Sequence, residues 1–215
     1  MLTAILIISS YLFGSIPFAW ILAKAKGVDL RKVGSGNIGA TNLSRALGRK
    51  WAYLCFALDT LKGFLPIFLA SRFFLLPADN IKTFGCLAVG VSAILGHIFP
   101  VYLNFKGGKG VATSFGVALG FWPYYTICAL FALAVWIIVA LIFGYISLAS
   151  IVASIAFPVA LSLAIFLHSG WQLEKLWPLL FVAFAIPVLV IILHRQNIKR
   201  ILIGAEPKIL QSKKD

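Results

Sequence analysis

Residues 124–143 read YYTICALFALAVWIIVALIF, a run of twenty residues without a charged side chain. A helix needs about 20 apolar residues to cross the hydrocarbon core of a bilayer. Across the 215 residues of the chain, 61% are hydrophobic and only 12% are charged, whereas a soluble domain carries about 25% charged residues. The composition excludes a disordered chain, a coiled coil and an ordinary soluble domain, and it predicts an all-α, polytopic integral membrane protein.

Other apolar runs give the chain about seven predicted transmembrane helices. The candidate spans are 2–23, 51–76, 84–103, 111–122, 124–143, 146–167 and 176–193. The fourth is short, and we keep it because the Trp-Pro-Tyr-Tyr sequence that starts at Trp122 is typical of an interfacial turn. The connecting loops are too short to fold separately, so we expect one membrane-embedded domain over residues 1–215.

Basic residues are distributed unequally between the two predicted faces. Seven crossings place the connections 24–50, 104–110 and 144–147 on the same face as the tail 194–215, and these segments hold 15 of the 19 basic residues. The opposite connections, with the neighbouring Arg72, hold three. The positive-inside rule therefore predicts an external N-terminus and a cytoplasmic C-terminus. The net charge of +13 favours an anionic membrane surface or substrate over nucleic acid.

The first predicted cytoplasmic connection contains GSGNIGATN at residues 34–42. Gly34, Gly36 and Gly39 match a GxGxxG pattern, but no strand precedes them, so a dinucleotide site is not indicated. Glycines nevertheless allow backbone N–H groups to surround an anion. Further side chains able to donate to phosphate are Ser35, Asn37, Thr41, Asn42 and Arg45. Composition alone supports equally a loop whose small residues only permit tight helix packing.

A second cytoplasmic stretch reads FKGGKGVAT at residues 105–113. It is not a Walker A loop, because glycine follows Gly108-Lys109. Its Gly107, Gly108 and Gly110 still place backbone N–H groups and the Lys109 ammonium at a helix N-terminus, where phosphate is attracted. The alternative is a basic turn that contacts lipid headgroups. We favour the phosphate site.

Further polar residues are found in the tail and within two spans. His194 and Asn197 share one face of a continuing helix, and His194 is suited to carry a proton. The residues alone favour the alternative, an amphipathic interfacial tail. Ser147, in YISLAS at 145–150, has an ordinary explanation as a helical serine bonded to a carbonyl one turn back. Asp59 and Lys62 interrupt the second span, either as functional groups or as a mutually neutralising pair.

Four stretches, in this order, resemble the bacterial acyl-phosphate-dependent glycerol-3-phosphate acyltransferases. They are GSGNIGATN with Arg45, GHIFPVYLNFKGGKGVAT at 96–113, YISLAS at 145–150 and HRQNIKRILIGAE at 194–206. The resemblance covers essentially the whole chain. It implies a seven-helix enzyme of the bacterial plasma membrane with a site facing the cytoplasm. The implied reaction moves a fatty acyl group from acyl phosphate to the 1-hydroxyl of sn-glycerol 3-phosphate, giving lysophosphatidic acid and phosphate.

Residues and resemblance together predict the site. The predicted catalytic residues are Ser35, Arg45, Lys109, His194 and Asn197. The predicted substrate- and phosphate-binding residues are Gly34, Gly36, Asn37, Gly39, Thr41, Asn42, Gly107, Gly108, Gly110, Ser147 and Glu206, of which Ser147 and Glu206 rest on the resemblance. Family members often carry a basic residue just before the tyrosine of the third motif, where this chain has Gly144. We expect no metal or other cofactor, because no metal-ligand cluster stands out and Cys55, Cys86 and Cys128 lie far apart.

The predicted chemistry needs little activation, because an acyl phosphate already carries a good leaving group. No HxxxxD motif is present, and no Ser-His-acid arrangement stands out. We expect direct attack by the glycerol hydroxyl without an acyl-enzyme, its proton passing to a substrate phosphate or to His194. The expected partners are the two substrates and the bilayer, without nucleic acid or an obligate protein partner. One alternative is a transporter for a phosphorylated solute, which is disfavoured because the external connections contain few polar groups. The other is a non-catalytic assembly factor.

Overall fold

The computed structural model describes residues 1–73 and 80–209. For residues 73 and 80–82 it describes the backbone only. Within these ranges the chain forms α-helices joined by turns and contains no strand, which confirms the all-α prediction. The α-helices are α1 Leu2–Gly14, α2 Phe18–Lys24, α3 Ala40–Leu47, α4 Arg49–Phe73, α5 Asn80–Ile98, α6 Val111–Gly120, α7 Tyr124–Phe143, α8 Ile146–Leu167, α9 Leu173–Leu193 and α10 Arg195–Leu202. Two short 3₁₀ helices are Leu30–Lys32 and Val101–Leu103.

Six helical segments of the described chain are long and apolar enough to cross a membrane. They are Leu2–Lys24, Arg49–Arg72, Thr83–Leu103, Tyr124–Phe143, Ile146–Leu167 and Leu173–Leu193. The fourth predicted span corresponds to α6, whose 10 residues extend about 15 Å, half the thickness of the hydrocarbon core. The count of seven crossings, and with it the placement of the two termini, therefore stays a prediction.

Several predicted boundaries differ from the structure. The first span is not one helix, because Pro17 lacks an N–H group and separates α1 from α2. The third predicted span, 84–103, begins earlier with α5 and ends in the second 3₁₀ helix. Helix α9 begins one turn before the predicted residue 176. Residues 74–76 of the second predicted span and residues 210–215 of the tail lie outside the described residues.

The chain divides into two compact units, Met1–Phe121 and Trp122–Asp215, and the expectation of a single domain is not tested by this division. In the first unit, glycines allow helix backbones to touch. A Cβ atom on Gly63 of α4 would collide with the carbonyl oxygen of Thr113, and one on Gly116 of α6 with that of Thr60. Such close approach is typical of helices packed within membranes.

The second unit packs α7, α8 and α9 around the buried rings of Tyr125 and Phe157 and presents apolar side chains outward. The Tyr125 hydroxyl donates to the carbonyl oxygen of Leu179 at 2.5 Å, and its ring meets Phe157 edge to face at 5.1 Å. Leu141 and Phe166 are 77% and 85% exposed. Large apolar side chains at such exposure indicate a lipid-facing surface, in accord with an integral membrane protein.

Candidate active site

The first glycine-rich loop joins the 3₁₀ helix Leu30–Lys32 to α3. Its backbone reverses in a turn closed by a 3.0 Å hydrogen bond from the Gly36 N–H group to the Val33 carbonyl. Gly34 and Gly36 have φ values of +58° and +68°, in the left-handed region that a side chain disfavours. Two of the three predicted glycines are therefore required by the backbone conformation itself.

Asn42 holds this loop together from the first turn of α3. Its amide donates to the carbonyl oxygens of Leu30 at 3.0 Å and Val33 at 2.9 Å, and its oxygen accepts the Ser35 N–H group at 3.0 Å. Both of its N–H bonds are thus used inside the protein, and the side chain is buried. The prediction that Asn42 donates to substrate does not fit this geometry, since the residue shapes the loop instead.

The remaining predicted polar groups of the loop are accessible from outside. The Ser35 hydroxyl oxygen accepts the Asn37 N–H group at 3.4 Å, and the Asn37 amide lies beside Gly39, where α3 begins. Arg45 passes over the glycine turn, because a Cβ atom on Gly34 would lie 3.4 Å from its Cδ. Thr41 lies in the first turn of α3 and, like Ser35, Asn37 and Arg45, is half-buried.

We expect Asn42→Ala to loosen the first loop before any substrate is present. The Ser35 amide then loses its acceptor, so its hydrogen exchange should accelerate roughly tenfold, as expected for the loss of one protective hydrogen bond. Exchange measured on the substrate-free protein in detergent checks this. Asn37→Ala is the matched control and should leave the Ser35 amide protected. Unchanged exchange in Asn42→Ala would contradict the positioning role.

The second glycine-rich loop joins α5 to α6 and folds back on the end of α5. The Gly107 N–H group donates to the Ile98 carbonyl and that of Gly108 to the His97 carbonyl, each at 3.1 Å. Gly110 has a φ value of +80° and precedes the first residue of α6. Lys109, between these glycines, is half-buried. The prediction of a glycine turn that leads into a helix is confirmed by this geometry.

The two glycine-rich loops are neighbours in the first unit. A Cβ atom on Gly108 would lie 3.0 Å from the carbonyl oxygen of Ile38 in the first loop. Arg31 also connects the two regions, since its guanidinium approaches the Leu103 carbonyl at 3.5 Å. Residues about seventy positions apart in the sequence therefore meet here, with Arg45 on α3 beside the first loop and Lys109 within the second.

The predicted tail residues gather in the second unit around Glu206. One carboxylate oxygen of Glu206 accepts the Ser147 hydroxyl at 2.8 Å and the Asn197 amide at 2.6 Å, and the other accepts Nε of Arg200 at 2.7 Å. Burial raises the pKa of Glu206, but the hydrogen bonds from Arg200, Asn197 and Ser147 outweigh it, so its pKa lies below the usual value. Sequence reasoning missed Arg200 as a member of this cluster.

His194 lies between α9 and α10 and is 4% exposed. Its Nδ1 is 2.8 Å from the Val190 carbonyl oxygen. Because a carbonyl only accepts, Nδ1 carries the hydrogen in the neutral ring, and Nε2 is the nitrogen able to take up a proton. Asn197 lies in α10, the helix that follows, so the predicted continuing helix is interrupted at His194.

A model of the family described as "Glycerol-3-phosphate acyltransferase" matches residues 4–204. The glycerol-3-phosphate acyltransferase of Aquifex aeolicus (strain VF5) is 45% identical over 201 residues, which cover 94% of this chain and 96% of the relative. That of Staphylococcus aureus (strain Newman) is 43% identical and covers 97% and 98% of the two chains.

Solved structures of an integral membrane glycerol 3-phosphate acyltransferase, PlsY, resemble this chain as well. Its glycerol 3-phosphate form has a TM-score of 0.85 and 43% identity, covering 97% of this chain and 96% of that one. Its lysophosphatidic acid form has a TM-score of 0.81 and 42% identity, with 97% and 95% covered. Fold and relatives together define an integral membrane acyltransferase. The chain belongs to the glycerol-3-phosphate acyltransferase family, which confirms the resemblance drawn from the four motifs.

Proposed function

We propose that this acyltransferase uses a fatty acyl phosphate as donor and forms lysophosphatidic acid and phosphate from sn-glycerol 3-phosphate. The observation that carries the proposal is the contact between the two glycine-rich loops at Ile38 and Gly108. Both substrates carry phosphate, and the two loops bring the Arg45 guanidinium and the Lys109 ammonium to such groups.

The proposed roles follow the chemistry of each side chain. Arg45 and Lys109 neutralise phosphate charge, while Ser35, Asn37 and Thr41 orient the ligand. The glycines that allow close backbone approach are Gly34, Gly36, Gly39, Gly107, Gly108 and Gly110. In the second unit, His194 offers Nε2 as a proton acceptor, and Glu206 with Ser147 holds Asn197 in place.

The proposed reaction is a single acyl transfer. The 1-hydroxyl oxygen of glycerol 3-phosphate attacks the carbonyl carbon of the acyl phosphate, and the bond from that carbon to the phosphate oxygen breaks. The hydroxyl proton passes to a substrate phosphate or to Nε2 of His194. The leaving group is phosphate, so the protein's contribution is positioning and the stabilisation of negative charge.

We also propose that the enzyme lies in the bacterial plasma membrane with its site on the cytoplasmic side. The support is electrostatic, because the segments 24–50, 104–110 and 194–215 carry the two loops, the tail and 15 of the 19 basic residues. By the positive-inside rule these segments belong in the cytoplasm.

The test is an assay of the purified protein in detergent with palmitoyl phosphate and sn-glycerol 3-phosphate. Phosphate and lysophosphatidic acid should form in equal amounts, and omission of glycerol 3-phosphate should stop both. Palmitoyl-coenzyme A, supplied instead of palmitoyl phosphate, should give little product. A transporter would give no product without vesicles, and efficient use of the thioester would refute the proposed donor.

Direct attack makes a separate prediction about the protein during turnover. Protein quenched in acid after mixing with palmitoyl phosphate alone, or with both substrates, should keep its unmodified mass in intact-protein mass spectrometry. Cys55, Cys86 and Cys128 are buried, in accord with this expectation. A mass increase of one palmitoyl group that disappears on addition of glycerol 3-phosphate would establish an acyl-enzyme and contradict the mechanism.

A further inference from the structure

Three ionisable side chains are buried together in the first unit. Lys62 Nζ lies 2.8 Å from Asp59 Oδ1, and His97 Nδ1 lies 3.6 Å from the same oxygen. Asp59 and Lys62 are on α4 and His97 is near the end of α5, and their exposed fractions are 3%, 1% and 7%. We call these three residues the buried ionic cluster.

The buried ionic cluster contacts the second glycine-rich loop and the break between α1 and α2. A Cβ atom on Gly108 would collide with Nε2 of His97, whose backbone carbonyl also accepts the Gly108 N–H group. At the opposite end, Lys62 Nζ donates to the Ile16 carbonyl at 2.7 Å. That carbonyl lies in the break between α1 and α2, which Pro17 creates. The cluster therefore connects this break, α4 and the second loop.

The space beside the cluster is too small for substrate. A cavity of about 10 Å³ is lined by Asp59, Lys62, His97, Ile38 and Gly108. This volume corresponds to about one water molecule, whereas glycerol 3-phosphate has ten non-hydrogen atoms. Asp59 and Lys62 are therefore not open to substrate, and the contact that links the cluster to the second loop is the one between His97 and Gly108.

Stability does not explain why such a cluster is present within a span. Removing two charges from water offsets most of their mutual attraction, and well-packed apolar residues are often as stable as a buried ion pair. Ionisable groups inside membrane segments are therefore functional candidates. Apolar packing alone allows helices to shift relative to one another. Ionic contacts between α4, α5 and the second loop would fix the position of that loop relative to the two helices.

We propose that Asp59, Lys62 and His97 are positioning residues that hold the two glycine-rich loops in their phosphate-binding geometry. The inference rests on the proposed function, because it assigns phosphate binding to those loops. It predicts that removal of the cluster weakens substrate binding more than the chemical step. The quantities to compare are therefore KM for each substrate, kcat and the melting temperature.

The first test is the double variant Asp59→Asn/Lys62→Met, which leaves no unpaired buried charge. We expect it to fold with nearly the wild-type melting temperature and to raise KM for at least one substrate about tenfold, with kcat changed by less than about threefold. If the pair served only mutual neutralisation, both KM values would stay at wild-type level, and the proposal would be overturned.

The second test keeps the ion pair and alters only its connection to the second loop. His97→Leu should raise KM as the double variant does, and His97→Asn, whose amide can replace Nδ1, should restore part of the loss. Ser10→Ala is the control, since it removes a buried 2.7 Å hydrogen bond to Val89 in the same unit, away from the loops. If the double variant does not fold, wild-type KM values in His97→Leu overturn the proposal on their own. An inactive wild-type protein would refute the proposed function instead.

Discussion

Replacing Lys109 with alanine is expected to lower kcat/KM at least about 100-fold while the protein still inserts and folds. A charge-assisted hydrogen bond to phosphate contributes about 1.5–3 kcal/mol, which corresponds to about 10- to 150-fold in rate. We expect the upper part of that range, because Lys109 is half-buried between glycines and, by our proposal, neutralises phosphate whose charge changes during the reaction. Phosphate release and lysophosphatidic acid formation measure the effect.

Arg45→Ala should cause a loss of similar size, because Arg45 crosses the first glycine turn and supplies a second half-buried cation beside the loops. Lys32→Ala is the matched control. Lys32 lies beside the same loop, but its side chain is 83% exposed and its 3.8 Å pair with Asp29 lies at the surface, so activity should stay near wild type. Normal turnover by Lys109→Ala or Arg45→Ala would remove that residue from the site.

Glu206→Ala is expected to remove most activity by destabilising the second unit. The substitution deletes the common acceptor of Ser147, Asn197 and Arg200, and it leaves the Arg200 charge without this partner. Loss of such a cluster costs about 3 kcal/mol, which lowers the melting temperature by roughly 10 °C in a protein of this size. Thermal unfolding in detergent measures it.

A control variant and the pH dependence of stability distinguish the effect of the Glu206 charge from the effect of removing its side chain. Glu174→Ala removes an exposed carboxylate and should leave the melting temperature unchanged. Because the pKa of Glu206 is lower in the folded state, its stabilisation is fully present above the unfolded pKa of about 4.3 and is lost as pH falls through the folded value. Glu206→Gln should be intermediate in stability and lack this acid-dependent loss. A Glu206→Ala protein as stable as wild type would contradict the structural role.

Hydrophobicity predicted much of the fold because the bilayer imposes helices of a fixed minimum length. The bounds of α7 and α8 agree with the predicted spans 124–143 and 146–167, since glycine or polar turn residues flank uninterrupted apolar runs. The break at Pro17 was missed, although proline is a recognised helix breaker, because the residues around it are as apolar as a continuous span.

The composition of the loops predicted a phosphate-binding character but not the arrangement of side chains. Asn42 was grouped with substrate donors because an asparagine in a loop has the same appearance in sequence whether it bonds to ligand or to backbone. Its three partners lie 7 to 12 residues away and depend on how the chain turns. The contact of Ser147 with Glu206, 59 residues apart, is likewise set by tertiary packing.

The buried ionic cluster was recognised only in part. Asp59 and Lys62 were identified as a pair from their i,i+3 spacing, which α4 confirms. His97 was visible within the second motif but had no assigned role, because its proximity to Asp59 depends on the packing of α5 against α4. Charged residues inside an apolar span indicate such a cluster in the sequence. The partner on another helix can be identified only from the structure.

A crystal structure of this chain with sn-glycerol 3-phosphate bound would show directly whether the two glycine-rich loops hold the phosphate. Phosphate oxygens are expected about 2.7–2.9 Å from Nζ of Lys109 or from the Arg45 guanidinium. A phosphate bound away from both loops, with neither cation within hydrogen-bonding distance, would contradict this expectation.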